Sequence, residues 1–253
     1  MKDNTFQKML EIRSRKGCGF VFLLDPDGFK INQVPEVVGT AREAGVDIFF
    51  IGGSLILRRD FDEFTAAVKK TAGECPVVLF PGNLQQISGN ADAILFLSLI
   101  SGRNPNHLID TQVLAAPQIW QLGLEAISCA YMLVESGQTT SAEYMSHTRP
   151  MPRNKPAIAV AHSLAAQYLG FKLIYLEAGS GARLSVPDEM IHAVTQTVET
   201  PVIAGGGIRT PEEAARKVQA GASFVVIGNH FENRDNHALF KEFADAIHDV
   251  QKI

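Results

Sequence analysis

At 253 residues, with 46% hydrophobic and 20% charged side chains, the chain has the balance of a single folded domain, 1–253, able to fill a sizeable core. Its 23 basic and 27 acidic residues leave a net charge of -4, which gives no reason to expect nucleic-acid binding. Three scattered cysteines, Cys18, Cys75 and Cys129, have no metal-ligand spacing, and an odd count argues against a disulfide framework. The charged start MKDNTFQKMLEIRSRKG lacks the apolar core of a signal peptide, and the longest apolar run, 93–99, is too short to span a bilayer. A reduced, cytoplasmic protein is expected, with membrane contact at most peripheral.

Residues 2–16 read as a leading helix, since Phe6, Met9, Leu10 and Arg13 follow helical spacing and Gly17 stops them. The run 19–24 is apolar throughout, as a buried strand should be, and ends in Asp25-Pro26-Asp27-Gly28. A helix over 34–44 ends at Gly45, and a second strand, 46–51, runs into Gly52-Gly53-Ser54. A helix over 60–72 follows, with Phe61, Phe64, Ala67 and Val68 on one face. Strand three is 77–80, then Pro81-Gly82-Asn83, and strand four is 93–97. Trp120 falls in a helix after Ala116-Pro117, where a core place and a subunit contact are equally open. Further strands begin near 126, 172, 201 and 223, which makes eight.

The stretch Ala44–Gly52 aligns without a gap on Ala220–Gly228, the trace of a repeated βα unit. Eight strands alternating with helices predict a (β/α)8 TIM barrel with function at the strands' C-terminal ends. Two units break the rhythm. Only 81–92 separates strands three and four, so the third helix of the barrel must be short or missing, leaving a side opening. The connection 133–155 is long enough to be functional or interfacial.

The residues past the strand ends carry the chemistry. Gly205-Gly206-Gly207 follows strand seven and Gly228-Asn229 follows strand eight. One glycine run usually makes only a tight turn; two at neighbouring strand ends predict a phosphate clamp of bare backbone N–H groups. Thr210-Pro211-Glu212-Glu213 opens the next helix with an N-cap, a first-turn proline and a capping-box glutamate. Asp25 lies at the barrel mouth, where it can bind a divalent ion, act as a base or cap a turn, whereas Asp27 better suits the turn alone. Strand alternation points Tyr175 and Glu177 into the mouth and Leu176 away. An inward carboxylate is costly without a task, so Glu177 is the expected general base. The seven histidines show no ligand spacing, and no lysine sits at a strand's mouth end, which weighs against a Schiff-base enzyme.

Together Leu24-Asp25-Pro26, Ile51-Gly-Gly-Ser54, Leu79-Phe-Pro-Gly-Asn83, Pro152-Arg-Asn-Lys-Pro156, Tyr175-Leu-Glu-Ala-Gly-Ser-Gly181, Gly205-Gly-Gly-Ile-Arg-Thr210 and Ile227-Gly-Asn229 resemble the geranylgeranylglyceryl phosphate synthase family, in order and over nearly the whole chain. The resemblance implies a modified barrel lacking a regular third helix. It also implies a Mg²⁺-dependent prenyltransferase joining the 3-hydroxyl of sn-glycerol 1-phosphate to geranylgeranyl diphosphate. By position, Asp25 and Ser54 match the magnesium site. Tyr175, Leu176, Glu177, Ala178, Gly179, Ser180 and Gly181, with Gly206, Gly207, Gly228 and Asn229, match the glycerol phosphate site. Asp25, Tyr175 and Glu177 form the implied catalytic set. A bacterial branch favouring longer chains carries lysine where this chain has Leu23, so the likeness is to the archaeal-like, larger-subgroup branch. A homo-oligomer, dimer or hexamer, is implied too. The rivals are the same reaction with a longer donor such as heptaprenyl diphosphate, another phosphate-binding barrel such as an isomerase, and a non-catalytic binder of phosphorylated metabolites.

Overall fold

Short strands that are apolar on both faces must be covered on both, and here they are covered by closing on themselves inside a ring of helices. The computed structural model describes residues 4–249. In order, β1 (Gly19–Leu24), β2 (Ile48–Ile51), β3 (Val77–Leu79), β4 (Ala93–Leu99), β5 (Glu125–Leu133), β6 (Leu173–Glu177), β7 (Val202–Gly205) and β8 (Phe224–Ile227) form a closed parallel barrel. The seam pairs Gly19 with Phe224 and Val21 with Val226. Around it run α1 (Thr5–Lys16), α2 (Val34–Ala44), α3 (Phe61–Ala72), α4 (Thr111–Leu122), α5 (Ser141–Ser146), α6 (Pro156–Tyr168), α7 (Asp188–Thr195), α8 (Pro211–Gln219) and α9 (Phe240–His248).

Alternation along each strand divides the core in two. Val21, Ile48, Phe50, Val78, Leu95, Ile127, Leu173, Tyr175, Ile203 and Val226 fill the barrel, and Met9 and Ile12 of α1 close its floor. Phe20, Phe22, Leu24, Phe49, Ile174 and Leu176 face the helix layer instead. Each fully buried side chain of this size stabilises the fold by about 1.5–3 kcal/mol. The floor is tied by Glu125, whose carboxylate accepts the Thr5 and Phe6 amides at 2.6 and 3.2 Å, satisfying donors that a helix start leaves free. The gapless repeat is physical: Gly45 and Gly221 both adopt left-handed φ, 112° and 101°, where helix turns into strand.

Between β3 and β4 no helix occurs among the described residues, so the third barrel helix is missing as expected. Elsewhere the structure adjusts the sequence reading. The leading helix starts at Thr5, and the first residues assigned to it lie outside the described range. β4 continues to Leu99, which puts Ser98 inside the strand, its hydroxyl donating to the Leu108 carbonyl at 2.7 Å. α4 runs through Pro117 instead of following it. The proline removes one amide that would have bonded the Val113 carbonyl, and Val113 is exposed, so the helix survives the loss. Trp120 is 72% exposed, which removes the core option. Thr210 caps α8 by accepting from the Glu213 amide, but the Glu213 carboxylate reaches the Arg209 amide and Ser185 hydroxyl, not the Thr210 N–H of a capping box.

Candidate active site

The mouth of the barrel holds a polar cavity of about 180 Å³. Asp25, Ser54, Tyr175, Glu177, Ser180, Gly181, Gly206, Gly207, Gly228 and Asn229 all line it, so the first, second, sixth, seventh and eighth strands share one chamber. Leu176 and Ala178 turn into the outer core, while Gly179 serves the site through its backbone. Gly206 and Gly207 sit at φ 81° and 73°, a left-handed turn straight after β7. A Cβ on Gly206 would fall 2.2 Å from Glu177 Oε1 and 2.7 Å from the Gly179 nitrogen, so no larger residue fits there. After β8, Asn229 opens a 3-10 turn over Asn229–Glu232. Its Oδ1 accepts from the Ser180 hydroxyl at 2.8 Å and the Gly181 amide at 3.2 Å, locking the sixth and eighth loops together.

Glu177 ends β6 pointing inward, 4% exposed. Its Oε1 accepts the Gly179 amide at 2.6 Å. Burial raises its pKa to about 7, against the opposing pull of that amide, the nearby Tyr175 hydroxyl and the Ala178 amide. A carboxylate poised there accepts a proton near neutral pH, which suits a general base. The Tyr175 hydroxyl is fully buried and makes no hydrogen bond of standard geometry. It is close enough to favour the Glu177 charge yet retains its own donor for a guest in the chamber.

Asp25 stands across the chamber. Its Oδ1 accepts the Asp27 amide at 3.0 Å, and a Cβ on Gly53 would lie 2.8 Å from its Oδ2. Burial, then the charge of Asp27, pushes the Asp25 carboxyl above the ordinary range. Asp27 is structural: its carboxylate accepts the Leu57 and Arg58 amides at 2.7 and 3.2 Å. Glu232 is raised by burial and then by the charge of Asp25, so two anionic groups lean on one corner. No cluster of three His, Cys, Asp or Glu residues suited to a metal occurs among the described residues. Asp25 and the Ser54 hydroxyl border the chamber together, a donor set of the kind Mg²⁺ accepts, since that ion is commonly held by one or two carboxylates with substrate phosphate and water completing the shell.

A second, apolar groove of about 320 Å³ opens beside the chamber. Its walls are the helix-free loop after β3 (Leu84, Ile87), the inner face of α4 (Ala115, Ile119) and α5 (Ala142, Met145). The missing helix is therefore what makes room for it, and part of the 133–155 connection lines it. Gly53, Ser54, Phe80, Tyr131 and Ala142 border both spaces. Gln86 holds the second and third loops together: its Oε1 accepts the Gly53 and Gly82 amides, and its Nε2 donates to the Gly53 carbonyl at 2.8 Å.

Sequence reasoning missed several of these groups. Arg209 lines the chamber while its guanidinium donates to the Ala182, Arg183 and Gly207 carbonyls. Its place in the Gly-Gly-Gly-Ile-Arg run was the only signal. Gln86, Tyr131 and Glu232 carried none, because no local pattern marks them. Lys172 lies at the floor end of its strand, its ammonium 5.4 Å over the Phe6 ring.

Similarity to known proteins extends over nearly the whole chain. A family model described as the PcrB family matches residues 9–247. The chain is 40% identical over 248 residues to the geranylgeranylglyceryl phosphate synthase of Chitinophaga pinensis, covering 98% of this chain and 97% of that one. It is 42% identical over 241 residues to the synthase of the same name from Korarchaeum cryptofilum, covering 94% and 98%. Among solved structures, (S)-3-O-geranylgeranylglyceryl phosphate synthase of Thermoplasma acidophilum, in complex with its substrate sn-glycerol-1-phosphate, superposes with a TM-score of 0.88 at 31% identity, covering 97% and 98%.

Proposed function

The chain belongs to the PcrB family, and from that premise we propose that it joins the 3-hydroxyl of sn-glycerol 1-phosphate to geranylgeranyl diphosphate, releasing diphosphate. The observation that carries the reading is the meeting of two unlike spaces: a chamber of glycine backbone with one neutral-range carboxylate, and an apolar groove opening into it. The acceptor's phosphate belongs at Gly206, Gly207 and the start of the Asn229 turn, with Arg209 adding positive charge. That leaves its hydroxyl beside Glu177, which takes the proton, while Tyr175 donates to the acceptor and orients it. The prenyl chain lies in the groove between α4 and the helix-free loop, away from water.

Asp25 and Ser54 would hold Mg²⁺ on the donor side of the chamber. When bound there, Mg²⁺ would supply charge neutralisation for the departing diphosphate. A longer donor such as heptaprenyl diphosphate is not favoured, since relatives at 40% and 42% identity carry the geranylgeranyl name. A sugar-phosphate isomerase is set aside on the same ground, since both relatives carry the synthase name. Exposed apolar residues on α4 and at the end of α6, among them Val113, Leu114, Trp120, Tyr168 and Leu169, support a homo-oligomer, dimer or hexamer. A cytoplasmic location goes with this reading, and among the described residues no helix is long and apolar enough to cross a membrane.

The test is a product assay offering sn-glycerol 1-phosphate or its 3-phosphate enantiomer with ten-, fifteen-, twenty- and thirty-five-carbon donors, with Mg²⁺ or with chelator. The expected product forms from the 1-phosphate and the twenty-carbon donor, and both chelation and Asp25→Asn suppress it. Absence of product from every pair would refute the assignment.

A further inference from the structure

Where the groove meets the chamber, the wall is aromatic. Phe80 follows β3, Tyr131 lies on β5, and Tyr175 is its register partner on β6. Barrel closure brings the three rings into mutual contact, with centroids 5.7 Å apart for Phe80–Tyr131, 5.3 Å for Phe80–Tyr175 and 5.5 Å for Tyr131–Tyr175. Of the five residues bordering both spaces, Phe80 and Tyr131 are the two with rings. Both are only half-buried, so part of each ring remains open to the cavities. Burial, followed by the Glu177 charge, pushes the Tyr131 hydroxyl well above its ordinary range, which keeps the ring a neutral phenol.

The rings are also free of competing cations. Among the described residues, Arg58 lies over Phe64 and Lys172 over Phe6, and no cationic side chain lies over Phe80 or Tyr131. No lysine or arginine borders both spaces. A positive charge arising at this junction therefore meets two rings with no side-chain cation over them, a setting open to cation–π attraction.

We propose that Phe80 and Tyr131 are catalytic residues that stabilise the allylic cation of the donor at the junction of groove and chamber. This rests on the transferase reading above. The donor's C1–O bond breaks and its electron pair leaves with diphosphate. The resulting allylic charge, shared between C1 and C3, faces the two rings. The acceptor's 3-hydroxyl oxygen then bonds to C1, and its proton passes to Glu177. Tyr175, stacked on Phe80 at an interplanar angle of 21°, holds that ring in place.

The experiment compares a twenty-carbon allylic ammonium ion with the neutral alcohol of the same chain, each titrated calorimetrically in the presence of inorganic diphosphate and Mg²⁺. The wild-type chain should bind the ammonium at least tenfold more tightly than the alcohol. In Phe80→Leu and Tyr131→Leu that preference should shrink by roughly tenfold per ring, with kcat falling in parallel, while alcohol affinity stays within twofold. Tyr131→Phe should keep the preference. Should a leucine variant misfold, mono-, di- and trifluorinated phenylalanine at position 80 preserves shape while draining the ring face, and log kcat should fall steadily with fluorine count. Leucine variants that lose ammonium and alcohol alike, or a flat fluorine series, would overturn the proposal and leave the rings as groove wall. Wild-type turnover in the same preparation separates that outcome from failure of the transferase reading, which would abolish product altogether.

Discussion

Replacing Glu177 by glutamine keeps the side chain's shape and its acceptor for the Gly179 amide but removes both the base and a buried charge. Two effects of opposite sign follow. Turnover should fall by about 10²–10⁴, the usual contribution of a positioned base, while calorimetry still detects glycerol 1-phosphate binding. Stability should rise. Glu177 titrates near 7 in the folded chain against 4.5 unfolded, so between those values the unfolded chain has released a proton that the folded chain retains. The unfolded state then binds fewer protons, and wild-type stability declines as pH climbs through that window. Above it the whole difference is felt, a cost of about 3 kcal/mol. Glutamine carries no such cost. Thermal unfolding of the two proteins should therefore differ by roughly 6–12 °C more at pH 8 than at pH 4, given the slope usual for chains of this size. The wild type's kcat/KM should rise with pH and level off above about 7. Parallel melting curves across pH, or a variant that turns over within tenfold of wild type, would refute the assignment of the proton acceptor.

The clamp, groove and floor each give a further test. Gly206→Ala sets a methyl 2.2 Å from Glu177 Oε1 on a backbone of φ 81°, so glycerol phosphate affinity and kcat should both drop at least tenfold by calorimetry and initial rates. Ala115→Trp fills the groove from α4, and product analysis should show shorter donors preferred while glycerol phosphate affinity is unchanged. At the opposite end, Asp47 accepts from Lys16 at 2.6 Å, His248 at 2.8 Å and the Phe20 amide at 2.9 Å. Burial opposes its ionisation, but these partners overcome it and hold its carboxyl below the ordinary range. Its contribution is thus present at neutral pH and fades as pH falls through that depressed pKa. Asp47→Asn should destabilise the chain by about 1–3 kcal/mol at neutral pH by denaturant unfolding and leave kcat intact.

What the amino-acid order determined by itself was everything with a local period. Short apolar runs between helical stretches marked the eight strands, and the short 81–92 link marked the missing helix. Alternation turned Tyr175 and Glu177 inward and Leu176 outward, since the direction of a strand side chain depends only on its parity. Tertiary structure alone decided which loops share a space. Phe80 and Tyr175 lie far apart in the chain yet stack at 5.3 Å, and Gln86 stitches two glycine loops that no spacing connects. Arg209 spends its donors on carbonyls of the sixth loop rather than on a charged partner. Such neighbours are set by the stagger at which parallel strands close a barrel, a global geometric condition that leaves no mark on adjacent residues.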